Sequence, residues 1–307
     1  MRAGRTRFMA VMMTAVLCTL SGCASWGPPP EGEDESAVAG AFRSKEYRIA
    51  ATSAAILDIL DKLDHEYVVG IPQTEKTIPE RYLGATNIGA PMDPDLEVLS
   101  SIAPDIVLSP MTLEASLGPD YDKAMLKSGF VNLSSVEGMY DAIRSLGDLL
   151  DRQDAALELT QGYESYLSDY RLGIPEQGPD VLLLMCFPDG FYLVCTENCY
   201  VGNLVALAGG KNVYSSGEEG MESGFVNINP EDIVQRTPDK ILVFAHYNEK
   251  DAFSYMEKEF ATNETWQYFD AVKENEVYYL SADLFGMSAT LKWTEAMEAL
   301  KPMLYGE

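Results

Sequence analysis

From about Glu46 onward the chain alternates short β-branched runs with amphipathic stretches, and no other feature constrains its fold as strongly. Alternation of this kind is the mark of βα units, whose strands align in a largely parallel sheet with helices on its faces. Tyr47–Ala50 reads as the first strand, and Thr52 or Ser53 caps the helix that follows. In that helix Ile56, Leu57, Leu60 and Leu63 form an apolar stripe at helical spacing. His65 falls beside Asp64 and Glu66 where the helix should end, which reads as a surface histidine at a helix C-terminus. Tyr67–Val69, Ile106–Leu108 and Phe130–Leu133 continue the strand series. Ser134–Glu137 has the capping-box pattern of a helix running to Leu150.

A second series begins at Val181. Val181–Phe187 and Phe191–Val194 read as a hairpin turning at Pro188–Gly190. A helix near Val201–Leu207, strands at Lys240–Phe244 and Val277–Leu280, and a last helix near Thr294–Leu304 follow. Between the two series, Gln153–Tyr170 contains no proline and the lone glycine Gly162, which predicts a single long helix. A weak repeat relates the halves. Glu97 precedes Pro104-Asp105 and a strand by the same interval that separates Glu231 from Pro238-Asp239 and a strand. Pro-Asp is also common turn chemistry before a strand, but the matched interval favours a duplication. The expected architecture is α/β, with two Rossmann-like lobes joined by the long helix and a cleft between them. An N-terminal lobe spans 46–150, the linking helix 151–174 and a C-terminal lobe 175–307.

The first 45 residues belong to neither lobe. Arg2, Arg5 and Arg7 precede the apolar run Phe8–Leu20, which reads as a secretory signal peptide over residues 1–22. The run is too short to cross a bilayer of about 30 Å as a stable helix. It ends at Leu20-Ser21-Gly22-Cys23, which resembles a bacterial lipobox and implies lipidation of Cys23. Residues 23–45, rich in proline and then in acid, read as a tether that places the folded body on the extracytoplasmic face of the cell membrane. The formal charge of −26, from 22 basic and 48 acidic residues, would repel a phosphate backbone and excludes nucleic acid as a main partner. Five cysteines occur, at 18, 23, 186, 195 and 199. Cys195 and Cys199 suit either a small loop disulfide in an oxidising compartment or two free thiols. With only His65 and His246 to join them, a zinc site is disfavoured.

No catalytic constellation is present. The chain has no G-x-S-x-G elbow, Walker loop, H-E-x-x-H or G-x-G-x-x-G motif after a strand, so the expectation is a protein that is not an enzyme. What remains is placement. Ile88–Met92 and Phe244–Tyr247 each follow an expected strand end, and ligands of open α/β sheets collect outside the carboxyl ends of strands. Met92 and His246 would then project from opposite lobes into one cleft. A thioether sulfur and an imidazole nitrogen are both axial ligands of haem iron. Taken singly, Met92 reads as a packing residue and His246 as a hydrogen-bonded surface group.

Three stretches carry a family resemblance: Arg48–Ala54, Gly89–Glu97 and Tyr200–Tyr214. Together they resemble the haem-binding lipoproteins of iron-regulated surface determinant uptake systems. These are ABC-transporter substrate-binding proteins of the helical-backbone class (the class III periplasmic-binding-protein fold), related to siderophore and cobalamin binders. The resemblance implies haem as the transported ligand, with Met92 and His246 as axial ligands to its iron. It implies Glu97 and Glu231 as one carboxylate per lobe offered to arginines of an ABC permease, and upstream haem-relay surface proteins as a source. Thr52, Ser53 and Lys76 become candidates for the propionates, the first two through amides at a helix start. Phe285 and Met287 resemble a segment of pocket wall, or are plain core. The alternative is a receptor of the same fold for an iron-siderophore or corrinoid, in which Met92 and His246 only line the pocket.

Overall fold

The structure, a computed structural model, describes residues 46–219, 221, 223–228 and 230–306. The signal segment, Cys23 and the tether lie outside the described residues. No helix among the described residues is long and apolar enough to cross a membrane.

The N-terminal lobe is built on strand β1 (Ile49–Ala51), helix α1 (Ala54–Lys62), β2 (Val68–Ile71) and the short edge strand β3 (Thr86–Asn87). A hairpin of β4 (Gly89–Ala90) and β5 (Asp93–Pro94) leads into α2 (Leu96–Ile102) and β6 (Ile106–Pro110). Then come α3 (Glu114–Lys123), β7 (Ser128–Val131) and α4 (Val136–Leu150). The sheet order is β3-β2-β1-β6-β7, all parallel. This is a doubly wound half-fold whose strand order reverses between β1 and β6. Ile56, Leu57, Leu60 and Leu63 are buried, as their helical spacing predicts. His65 departs from expectation. It is 5% exposed in the turn after α1, and the Tyr82 hydroxyl donates to its carbonyl. The cap of α4 also shifts by one residue: Ser135, not Ser134, accepts from the Gly138 N–H at 3.0 Å, so Glu137 is free for other partners.

The predicted single linking helix is two helices, α5 (Gln153–Thr160) and α6 (Tyr163–Leu172). The break falls at Gly162, whose φ of +87° is a left-handed conformation that glycine adopts without the Cβ clash other residues suffer. Aromatic packing rewards the bend. The Tyr163 ring lies 5.1 Å from that of Tyr140 and 5.5 Å from that of Trp293, and its hydroxyl donates to Glu137.

The second lobe runs through β8 (Asp180–Cys186), β9 (Tyr192–Cys195), α7 (Tyr200–Leu207), β10 (Lys211–Asn212), β11 (Phe225–Val226) and α8 (Pro230–Ile233). It continues with β12 (Lys240–Ala245), α9 (Glu249–Thr262), α10 (Glu264–Gln267), α11 (Asp270–Lys273) and β13 (Val277–Leu280), and closes with α12 (Trp293–Tyr305). Its sheet order is β11-β9-β8-β12-β13, with β10 paired to the start of β8. β8, β10, β12 and β13 are parallel, while β9 and β11 are the antiparallel additions. The sequence repeat is a structural one. Asp105 accepts the Arg48 N–H at 2.9 Å and Asp239 the Asp180 N–H at 2.8 Å, each carboxylate closing the start of its lobe's first strand.

The lobes share a core. One buried apolar cluster extends from Ile49 and Leu57 through Met139 and Tyr170 to Leu183, Leu204 and Leu300. Hydrogen bonds reinforce it. Trp293 Nε1 donates to the Tyr140 hydroxyl at 3.0 Å, and the Ala289 N–H to the Leu133 carbonyl at 2.7 Å. Asn203 of α7 caps α4 from the opposite lobe: its Oδ1 accepts from the Val136 N–H at 2.9 Å while its Nδ2 donates to Glu137 at 3.2 Å.

Candidate functional site

Most of the residues singled out from sequence follow the carboxyl ends of strands, the positions at which parallel sheets bind ligands. Thr52 and Ser53 follow β1, Lys76 follows β2, and Met92 sits in the hairpin after β3. In the other lobe His246 follows β12, and Phe285 and Met287 follow β13.

Met92 occupies the two-residue turn between β4 and β5, behind Pro91, whose fixed φ suits that turn position. The side chain is 59% exposed, a thioether held out by a rigid turn rather than packed into the core. Gly89, at φ +89°, lets the hairpin fold back tightly: a Cβ there would stand 3.2 Å from the Asp95 backbone nitrogen.

His246 is half-buried at the point where strand order reverses in the second sheet, between β8 and β12. Its N–H donates to the Cys186 carbonyl at 3.0 Å, continuing the β8–β12 ladder by one residue. The imidazole stacks on Phe187 with ring centroids 4.9 Å apart and planes at 18°, and meets Tyr247 edge-on at 5.5 Å. Its Nδ1 is buried without a hydrogen-bond partner. Burial holds the imidazole pKa below the ordinary histidine value, which favours the neutral, ligating form. Phe187 was missed by sequence reasoning, although the β8–β12 register that aligns Cys186 with Ala245 places it directly beside His246.

Lys76 reaches across from the N-terminal lobe: a Cβ on Gly286 would lie 3.3 Å from its ammonium. Packing around that ammonium lowers its pKa, opposed by the charges of Asp58 and Asp283. Ser53 is the N-cap of α1, and its side chain makes no capping bond.

Thr52 and Phe285 are internal. Thr52 is fully buried, its N–H committed to the Leu108 carbonyl at 3.0 Å and its hydroxyl to Ser109 at 3.0 Å, which in turn pairs with the Tyr121 hydroxyl. It is a structural residue, because continuing the β1–β6 ladder uses the amide a ligand would need. Phe285, 2% exposed, belongs to the core rather than to a pocket wall, since the turn after β13 folds it inward. Met287 is half-buried against the same core. Glu97 is exposed on the first turn of α2, where Asp95 caps the helix, and Glu231 lies on α8. Cys186, Cys195 and Cys199 are free, buried thiols, and Cys199 Sγ accepts from the Gly202 N–H as the cap of α7. A cavity of about 500 Å³ lies elsewhere, between α4 and the break of the linking helices. It is lined by Glu137, Arg144 and Tyr163 among others and by none of the residues above.

The family profile described as periplasmic binding protein matches residues 49–284. The chain belongs to this family. Among its relatives is the high-affinity heme uptake system protein IsdE of Staphylococcus aureus, 35% identical over 265 residues that make up 86% of this chain and 89% of that one. The crystal structure of S. aureus IsdE complexed with heme superposes with a TM-score of 0.77, covering 84% of this chain and 99% of the other. An ABC transporter substrate-binding protein from Listeria monocytogenes is 40% identical, with a TM-score of 0.78 over 86% of this chain and all of the other. Relatives of this periplasmic binding protein are therefore transport-system binding components rather than enzymes, and the mixed α/β, two-sheet fold is the one expected from sequence.

Proposed function

We propose that the protein is the substrate-binding component of a haem ABC importer, holding haem between the lobes with Met92 and His246 as axial ligands. The observation that carries this reading is the 35% identity, over most of both chains, to a protein named for heme uptake. The local chemistry supports it. An exposed thioether on a rigid turn and a neutral imidazole at the opposite sheet's crevice are a soft and a borderline donor, a pair suited to iron in a porphyrin, with the sulfur favouring the ferrous state. Phe187, Phe191 and Tyr247 add aromatic surface around the imidazole for the macrocycle.

The propionates are assigned to Ser53, with the free amides that open α1, and to Lys76. Binding then needs no bond-making in the ligand, only coordination and burial. Glu97 and Glu231 are the carboxylates offered to arginines of the permease. The lipid on Cys23 tethers the receptor to the outer face of the membrane, where haem-relay surface proteins would supply it.

A visible-absorption titration with haem tests this. The parent should shift the Soret band to that of ligated haem. Met92→Ala and His246→Ala should each change the spectrum and weaken binding by about tenfold or more. Spectra identical to the parent in both variants would remove the axial assignment. Absence of any Soret shift, with tight binding of an iron-siderophore or corrinoid instead, would transfer the receptor to that ligand class.

A further inference from the structure

A metal-ligating histidine is ordinarily aimed by the hydrogen bond of its second ring nitrogen, which fixes both tautomer and ring rotation. His246 has no such partner: Nδ1 is buried and unpaired. Something else must set the imidazole plane. The group against it is Phe187, parallel to within 18° at 4.9 Å.

Phe187 is itself fixed more firmly than a loop residue usually is. Its N–H donates to the Phe191 carbonyl at 2.9 Å, and its carbonyl accepts from Gly190 at 3.0 Å, so both backbone groups are committed within the tight turn between β8 and β9. Gly190 makes that turn at φ +88° against the face of Tyr255, where a Cβ would stand 2.2 Å from the ring. Phe191 also packs against the Phe187 ring, with centroids 5.4 Å apart. The imidazole's backbone is pinned by the Cys186 carbonyl, one residue before Phe187. Backbone anchor and stacking partner are therefore consecutive residues of β8 and its turn. A rotation of the imidazole about its Cβ–Cγ bond would break the stack.

Resting on the proposed role of His246, we propose that Phe187 is a positioning residue for the axial imidazole, setting its ring plane by stacking where other sites use a hydrogen bond. Two consequences follow. The imidazole donates to iron as a neutral ligand, with no acceptor on Nδ1 to lend it imidazolate character. Its orientation depends on a flat, apolar neighbour, so a side chain of similar volume without a planar face cannot replace Phe187.

The test compares Phe187→Leu and Phe187→Tyr with the parent, first without ligand and then with haem. In the ligand-free proteins, the ring proton signals of His246, shielded by the Phe187 face, should move in Phe187→Leu and stay in Phe187→Tyr. With ferric haem, the low-spin electron paramagnetic resonance g-values report the ligand-plane angle. They should change in Phe187→Leu with a loss of about tenfold in affinity, and be restored in Phe187→Tyr. Should Phe187→Leu fail to fold, Phe187→Met keeps the volume without the plane and carries the same comparison. Unchanged ring signals and g-values in the leucine or methionine variant would overturn the positioning role while leaving haem binding intact. Loss of the haem spectrum's dependence on His246 itself would instead defeat the parent reading, with the ligand-free result still deciding whether the stack sets the ring.

Discussion

An imidazole nitrogen buried without a partner costs about 1–3 kcal/mol, and His65 Nε2 and His246 Nδ1 are both in that position. Burial lowers the pKa of each. At and below the ordinary histidine value of 6.5, the unfolded chain therefore binds protons that the folded chain does not. By linkage, their stabilising contribution is present above that value and is lost as pH falls below it. Urea midpoints at neutral and mildly acid pH should show this loss, and the His65→Gln, His246→Gln double variant should show a smaller drop. An identical pH slope in parent and double variant would contradict it. Haem affinity should follow His246 alone, persisting to lower pH than for an exposed histidine before protonation displaces iron. Neither burial was legible in the local sequence. His65 sits among acidic neighbours that signal a surface, yet it is buried in the turn after α1, where the Tyr82 hydroxyl, from 17 residues on, bonds its carbonyl.

The helices show a similar division. The α1 stripe and the strands of both series were readable because burial on one face imposes a period on the residues themselves. The break in the linking helix was not, since one glycine in a helical run is compatible with continuity. What decides it is the aromatic group of Tyr140, Tyr163 and Trp293 and the Tyr163–Glu137 bond, all made between segments far apart in the chain. The clamp of Asn203 on α4 belongs to this scale too. Asn203→Ala should lose both hydrogen bonds, costing about 1–3 kcal/mol. Asn203→Asp keeps the acceptor for Val136 but sets a second carboxylate against Glu137, so it should destabilise as well, and Glu137→Gln should recover part of that loss. Denaturant unfolding of the single and double variants checks this; additive losses in the Asp/Gln pair would refute the coupling.

Across the whole molecule, one buried apolar cluster spans both lobes and takes in Cys195 and Cys199, while Cys186 lies in a second cluster within the C-terminal lobe. Burial pushes the Cys186 thiol pKa up to about 12 and that of Cys195 well up also, so little reactive thiolate exists at neutral pH. Alkylation followed by peptide mass spectrometry should leave Cys186, Cys195 and Cys199 unmodified in the native protein and label all three after unfolding. Rapid native labelling, or a Cys195–Cys199 disulfide, would count against the buried-thiol arrangement.

By itself the sequence determined the alternation of the main strands with helices in each half, the repeat marked by Asp105 and Asp239, and the positions of Met92 and His246 just past strand ends. Each of these is written in local periodicity or in turn chemistry. Only the tertiary structure decided that Thr52 and Phe285 are internal, that Phe187 faces His246, and that Lys76 approaches Gly286 from the other lobe. Those outcomes depend on which strands become neighbours and how two sheets pack, and contacts between residues distant in the chain leave no periodic trace along it.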